Sequence, residues 1–331
     1  MSGAPKISVL VLNHNGGAVV QQCVRSVVEL AWDNLEILVV DNASEDGSPD
    51  RIAEEFKARV KILRRAVNSP TAGRNQGFRE ATGDYILSLD NDIVLTDRMI
   101  LQKAAAILQK FSQVGALAFR IGSSENPQQP LPEHWWHPVE CGQGRERFFY
   151  TDWFAEGAVV FRREALAATG GYEEILFHGF EAVDLALRLL ESGFDILYCP
   201  NLTAIELRVR GFQPVVRNRI NYLSLRNKLW TAWKDYPFLR AMYFGLTRSS
   251  AAAVRALRYG WADLWLRAVM DGIFPPRSLR QKRNPISHAT WKRIRRIRSG
   301  RISPDIVGKA ELKKVAAAAM GRSPTGEYPC G

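Results

Sequence analysis

The chain has 331 residues, 46% of them hydrophobic, and a formal net charge of +11. That is enough apolar material for one full core, yet no window reaches ~18 uncharged apolar residues, which excludes a membrane-spanning helix. Its four cysteines (Cys23, Cys141, Cys199, Cys330) show no C-x-x-C pair and no framework spacing, which excludes a disulfide-stapled scaffold and fits a reducing cytoplasm. No secretory leader is expected, because ISVLVL is short and is interrupted by NHN.

In chain order, ISVLVLNHN (7–15) and LEILVVDNAS (35–44) are apolar, β-branched runs that end in polar residues. Between them Val20, Val24, Val27, Val28 and Leu30 recur at helical spacing. SPDRIAEEFKA predicts a helix with Ser48 as N-cap and Pro49 at the first helical position, and VKILRR a third strand. NSPTAGRNQGFREATG then leads into DYILSLDND, a short buried strand that delivers Asp90 and Asp92 to its tip. Four alternations of strand and helix predict an α/β fold with a mostly parallel sheet and helices on both faces. Asp41 and Asn42 then share one sheet edge with Asp90 and Asp92, the edge where open α/β sheets bind ligands. Hard carboxylate oxygens there suit Mg²⁺ or Mn²⁺; a solvated, Asp-capped turn is the bland alternative. No G-x-G-x-x-G follows the first strand and no G-x-x-x-x-G-K-[ST] occurs, so dinucleotide and P-loop readings lose support.

ISVLVLNHNGG, ILVVDNASEDGS, NSPTAGRNQGFREATGDYILSLDND, EGAVVFRREAL, TGGYEE and FEAVDLALRLLESGFDILYCP occur in this order, and the chain resembles the family two inverting glycosyltransferases with the GT-A fold over residues 6 to 230. The resemblance implies a transferase that takes a nucleoside-diphosphate sugar, with UDP or dTDP as the nucleotide, and Mn²⁺ or Mg²⁺ as cofactor. It implies that Asn13 and Asp41 lie at the nucleoside. Asn68, Gly73, Arg74 and Asn75 would line base and diphosphate, and Asp90, Asn91 and Asp92 would form the DxD motif, with Asp92 the chief metal ligand. A cation there would stabilise the charge of the departing diphosphate, and Arg74 would add a permanent positive charge.

Two positions depart from the family pattern. Where relatives carry Glu-Asp before Val-Asp-Leu, with the Asp as general base, this chain reads Glu181-Ala182-Val183-Asp184-Leu185. Where relatives place a metal-completing His, it has Glu206, still a hard oxygen ligand. Three explanations compete for Ala182: Glu181 acts as base, the acceptor needs little deprotonation, or the chain binds a sugar nucleotide without turnover. Asp184 is a weaker catalytic candidate, since a carboxylate at a helix start also favours the helix dipole. Glu156, ahead of Gly-Ala, is expected either at the donor sugar or acceptor, or paired with Arg162 or Arg163.

The Pro-, Gln- and Trp-rich stretch 121–150 breaks the α/β rhythm and predicts a loop insertion over the active face. Trp135, Trp136, His134 and His137 make it an acceptor-recognition candidate; its His and Cys spacing does not suit zinc. The expected organisation is a catalytic domain over 1–230 (nucleotide half 1–120, insertion 121–150, acceptor half 151–230) and a basic helical extension over 231–331 with a disordered end. In that extension Tyr243, Leu246, Leu257, Trp261, Leu264, Trp265 and Val269 are available to one helical face beside many Arg. That composition fits a helix lying on an anionic membrane; a helix packed on the catalytic domain with an Arg-rich solvent face is the competing reading. The acceptor is expected to be a cell-envelope glycan, lipid-linked or other, reached from the cytoplasm, with peripheral attachment to the inner membrane face. A nucleic-acid binder is the minor alternative, disfavoured because no recognised module appears and a carboxylate-lined site repels phosphate without a metal.

Overall fold

The computed structural model describes residues 4–207 and 214–300. The elements are β1 (Ile7–Asn13), α1 (Gly17–Val28), β2 (Leu35–Asn42), α2 (Ser48–Phe56), β3 (Lys61–Arg65), α3 (Pro70–Glu80), β4 (Tyr85–Asp90), β5 (Ile93–Val94), α4 (Ile100–Lys110), β6 (Val114–Ser123), α5 (Cys141–Gly144), β7 (Phe149–Thr151), β8 (Ala158–Arg162), α6 (Arg163–Thr169), α7 (Glu181–Glu191), β9 (Asp195–Glu206), α8 (Pro214–Asp235), α9 (Phe238–Tyr259), α10 (Ala262–Ile273), α11 (Arg277–Gln281) and α12 (His288–Arg298). The nine described strands form one sheet in the order β3-β2-β1-β4-β8-β6-β9-β5, with β7 beside β9. The stretch β3-β2-β1-β4 is wholly parallel. β8 runs antiparallel to β4 and β6, and β6 and β9 are again parallel.

Parallel strands covered on both faces must be apolar throughout, and every residue of β1 is buried. Its register fixes the functional edge: Asn13 pairs with Asp41 of β2, and Leu12 with Asp90 of β4. Helix α2 differs from expectation at its start. Gly47, at φ 72°, is the cap, and Ser48 is already helical. The Ser48 hydroxyl is instead engaged with Asp46 and Asn13.

The insertion packs onto the sheet. Arg120 of β6 holds Glu146 at 2.6 Å and Gln128 at 2.7 Å, and His137 is buried among Trp135, Phe149, Trp153 and Tyr198. Helix α8 runs unbroken through residue 230, so no change of structure marks the expected boundary there. The single face expected on α9 and α10 is divided. Trp261 is buried, and Leu264, Trp265 and Val269 pack around it with Leu225, Ala252 and Ala256, whereas Tyr243, Leu246 and Leu257 are exposed. Gly260, at φ 70°, separates the two helices and turns their faces apart. The end expected to be disordered lies outside the described residues.

Candidate active site

The carboxyl edge of β1, β2 and β4 gathers polar side chains that the strands themselves cannot satisfy. Asn13 donates from Nδ2 to Asp41 Oδ1 at 3.1 Å and to Ser48 Oγ at 2.9 Å, and both Asn13 and Asp41 are buried. Asn42, not singled out as a site residue from the sequence, donates to Asn68 Oδ1 at 2.7 Å and accepts from the Ser69 N–H at 3.0 Å. It therefore fixes the entry to α3. Buried Arg74 on α3 pairs with Asp90. Burial opposes its charge, but the carboxylates of Asp90, Glu156 and Glu181 more than offset this and hold the guanidinium ionised.

Two neighbours on α3 make contacts within the fold. Asn75 spends its amide on the turn after α6, donating to Tyr172 O at 2.8 Å and Glu174 Oε1 at 3.0 Å while accepting from the Tyr172 N–H at 2.8 Å. Both amide hydrogens are thus engaged, and Asn75 ties α3 to that turn. Gly73 serves close packing, since a Cβ there would meet Leu12 Cδ1 at 2.7 Å.

The corner where the sequence places a metal lies where β5 pairs with the end of β9. Ile93 is opposite Glu206, and the Leu207 N–H donates to Asp92 O at 2.8 Å. Asn91 donates to Asn13 Oδ1 at 3.3 Å and to His14 O at 3.2 Å, tying the DxD turn to β1. Glu206 is engaged by a residue without an expected partner: His134 of the insertion, Nε2 to Oε2 at 2.5 Å. Burial lowers the imidazole's proton affinity, but Glu206 more than restores it, so the His134 pKa is raised. Asp90, Asp92 and Glu206 do not make a ready-made cage, for no group of three His, Cys, Asp or Glu among the described residues could hold an ion.

Across from Arg74 stand Glu156 and Glu181. Glu181, at 3% exposure, is the first residue of α7, and Glu156 precedes β8. Neither Glu156 Oε1 nor Glu181 Oε2, both enclosed, has a hydrogen-bond partner. Burial raises both carboxyls, and their proximity raises Glu156 further; two such groups cannot both ionise at ordinary cost. Glu156 does not take the expected alternative partners: Arg162 bonds backbone carbonyls of Leu108 and Val114, and Arg163 faces Asp84. His178 Nδ1 lies 3.6 Å from Glu181 Oε1.

Asp184 is fully buried and ion-paired with Arg188 and, at 2.7 Å, with Lys234, which also holds Asp235. Burial opposes its charge, yet the two cations bring its pKa down to about 2. The cluster lies one turn along α7 from Glu181 and is enclosed by the fold. The sequence also gave no hint of Asn227 on α8, which is fully buried and reaches the carbonyls of Leu176, His178 and Gly179. Of the two tryptophans, Trp135 turns inward, donating Nε1 to Val139 O at 2.9 Å and abutting Tyr198 edge-on. Trp136 remains half exposed, stacked on Trp153.

Residues 8–170 match the model of glycosyl transferase family 2. A putative glycosyltransferase of Bacillus subtilis (strain 168), EpsE, is 26% identical over 264 residues, which cover 72% of this chain and 88% of that one. The probable glycosyltransferase YdaM of the same organism is 27% identical over 268 residues, 75% of this chain and 60% of the longer relative. Among solved structures, S. aureus TarS 1-349 in complex with UDP-GlcNAc superposes with a TM-score of 0.58 at 15% identity, covering 97% of this chain and 93% of that one. Mannosyltransferase PcManGT from Pyrobaculum calidifontis, in complex with GDP-Man and Mn²⁺, gives 0.54 at 18% identity, covering 98% and 89%. Identities this low speak for the fold alone. Family model, relatives and architecture agree, and the chain is a family 2 glycosyltransferase with the GT-A fold.

Proposed function

We propose that the chain transfers a sugar from a nucleoside-diphosphate sugar to a cell-envelope glycan or lipid-linked acceptor by metal-dependent single displacement with inversion. The observation that carries this reading is the edge formed by Asp41, Arg74, Asp90 and Asp92: two strand tips, the turn after β4 and one helix converge there on a polar, partly buried site. Family membership supports inversion, and the nucleotide-sugar complexes of TarS and the mannosyltransferase support the donor class; UDP and dTDP remain the nucleotides we favour. Divalent ions that travel with phosphates need only one or two protein carboxylates. Asp92, with Glu206 on the adjacent strand, fits that demand for Mn²⁺ or Mg²⁺ as an open site. When bound, such an ion neutralises charge on the departing diphosphate. Arg74 would hold the same phosphates, and Asn13, Asp41 and Asn68 the nucleoside end.

In this reading Glu181 is the general base in place of Ala182. An acceptor hydroxyl would give its proton to the Glu181 carboxylate while its oxygen attacks the anomeric carbon and the diphosphate leaves with the bonding pair. A carboxyl raised by burial is better matched to that task near neutral pH than an ordinary one. We further propose a cytoplasmic protein docked on an anionic membrane surface. Among the described residues no helix is long and apolar enough to cross a membrane. However, α9 turns Leu239, Met242, Tyr243, Leu246, Val254 and Leu257 outward, and it carries four arginines and no acidic residue, a combination suited to interfacial binding.

The test is thermal stability against a panel of UDP-, dTDP- and GDP-sugars, with and without Mn²⁺, for wild type and Asp92→Ala. A ligand at a hundred times its Kd should add about 2.7 kcal/mol of stability. A Mn²⁺-dependent gain with one nucleotide, lost in Asp92→Ala, is the expected result. No gain with any nucleotide would refute the donor reading.

A further inference from the structure

Beside the loop that leads to Glu181, rings and cations alternate along one row. Trp136 stacks on Trp153 with centroids 5.9 Å apart. Lys228 Nζ lies 6.0 Å from the Trp136 centroid and 5.8 Å from that of Phe180. Phe180 lies 6.3 Å from Phe244, and the Arg248 guanidinium sits 5.2 Å from the Phe244 centroid. The row thus draws on the insertion, on the residue just before Glu181, and on α8 and α9.

Its charge is not compensated. Of the cations enclosed by the fold, Arg74, Arg120, Arg188 and Lys234 each face a carboxylate, and Arg162 is satisfied by backbone carbonyls. Partly buried Lys228 has aromatic rings as its neighbours and faces no carboxylate among the described residues, and neither do the exposed Arg248 and Arg255 on α9. Burial, then the charges of Arg255 and Arg248, push the Lys228 amine down to about 8. Nothing in the donor chemistry uses these groups: the diphosphate-facing Arg74 lies on α3, across the site. A half-enclosed amine between aromatic faces, with two exposed arginines spaced two turns apart on the neighbouring α9, is suited to a ligand that offers both a ring to stack and an anion to neutralise.

We propose that this row is the acceptor subsite and that the acceptor is an anionic glycan, its sugar ring lying on Trp136 or Phe180 and its phosphate or carboxylate held by Lys228 with Arg248 and Arg255. The assignment of this subsite to the acceptor rests on the transferase reading, because Phe180 immediately precedes the base candidate Glu181. An acceptor stacked there is at the same end of α7 as the carboxylate that would take its proton. The chemistry is common to phosphorylated sugars and uronic acids, and the experiment separates them.

The full chain is titrated with glucose 1-phosphate, glucuronate and neutral methyl glucoside at fixed ionic strength, and tryptophan fluorescence is read for wild type, Lys228→Gln, Lys228→Arg, Arg255→Gln and Asp92→Ala. A charged probe should bind about tenfold or more tightly than methyl glucoside, as one charge-assisted contact predicts. Whichever charged probe binds better identifies the source. That preference should be lost in Lys228→Gln, weakened in Arg255→Gln and kept in Lys228→Arg and in Asp92→Ala. Failure of both charged probes to bind, equal binding of charged and neutral probes, or a preference that survives Lys228→Gln overturns the proposal. So does a preference lost only in Asp92→Ala, which would put the anion in the donor site. Binding is read without turnover, so a failure here is distinct from absence of a nucleotide response, which would sink the donor reading alone.

Discussion

Asn227→Ala probes how the base candidate is held. The Asn227 amide has two hydrogens and three carbonyls in reach, Leu176 O at 2.7 Å, His178 O at 3.0 Å and Gly179 O at 2.6 Å. Two net hydrogen bonds are worth about 2 kcal/mol, and leaving one enclosed carbonyl unpaired adds about 1–3 kcal/mol. The clamp therefore contributes about 3–5 kcal/mol. It holds a loop under strain: Phe177 sits at φ 63°, ψ −67°, and Phe180 at φ 77°. Bulky residues there cost about 1–3 kcal/mol each, so about 2–6 kcal/mol together. The two quantities are of one size, and removing the clamp should release the loop rather than unfold the domain. Expected for Asn227→Ala are a nucleotide thermal response like that of wild type, a global loss below about 2 kcal/mol, and kcat at least tenfold lower, because Glu181 follows Phe180 directly. Tenfold in rate needs only about 1.4 kcal/mol of misplacement. Wild-type kcat in Asn227→Ala would refute the reasoning, as would cooperative loss of fold and donor binding together.

Glu181→Gln should lower kcat by about 10²–10⁴ with donor binding retained, the range for a lost general base. Ala182→Asp should lower kcat as well, since Ala182 is buried and a third carboxylate would join Glu156 and Glu181; a gain would show that the site is damaged rather than retuned. Asp184→Asn should cost about 3–5 kcal/mol in a denaturant melt, because Arg188 and Lys234 lose their partner; full stability with lost activity would make Asp184 catalytic instead. Burial depresses the His137 pKa to about 3, below the ordinary value of about 6.5. The unfolded chain thus binds the proton first: His137 contributes full stability above about pH 6.5 and loses about 1.4 kcal/mol per unit as pH falls toward 3. His137→Gln should flatten that slope, and an unchanged slope would assign it to other groups. Leu246→Asp should reduce co-sedimentation with anionic vesicles at least tenfold while leaving the far-UV spectrum unchanged; sedimentation that instead shows a dimer broken by the same change would assign the face to a second copy.

Much of the donor half was legible because its signal is local. Each strand of the β3-β2-β1-β4 stretch is a short apolar run, and the parallel register carries Asn13, Asp41 and Asp90 to one edge from widely separated positions. The tie from Asn75 to the Tyr172 turn was not legible, because an amide beside Arg74 looks the same in sequence whatever it bonds. The partners of Glu206 and Glu181 were not legible at all. His134 and Glu206 are 72 residues apart, and Asn227 reaches back about 50 residues to the loop; no spacing rule links them. Trp135 and Trp136 show the limit at its sharpest, since adjacent side chains point apart and only tertiary packing decides which is covered. On α9 the helical period was visible, but it runs through two rows. Close approach to the neighbouring helices selected the one with Ala252 and Ala256, and the bulky row faces out.

The C-terminal helices consequently belong to the catalytic problem. Helix α8 alone places Asn227 under the strained loop, Lys228 beside Phe180 and Trp136, and Lys234 against Asp184 of the helix that begins at Glu181. Gly272 of α10 lets that helix press on α8, since a Cβ there would overlap Leu229. A docking event on the outward rows of α9 or α10 therefore acts on helices packed directly against α8. The loop those helices restrain is already strained, so small shifts of α8 would change the position of Glu181 more than they change the donor edge, which β1, β2 and β4 hold independently. Acceptor-side activity should accordingly respond to membrane composition while nucleotide affinity does not, and kcat and donor Kd measured with and without anionic vesicles separate the two. A vesicle-dependent donor Kd would show that the two halves of the site are not mechanically independent.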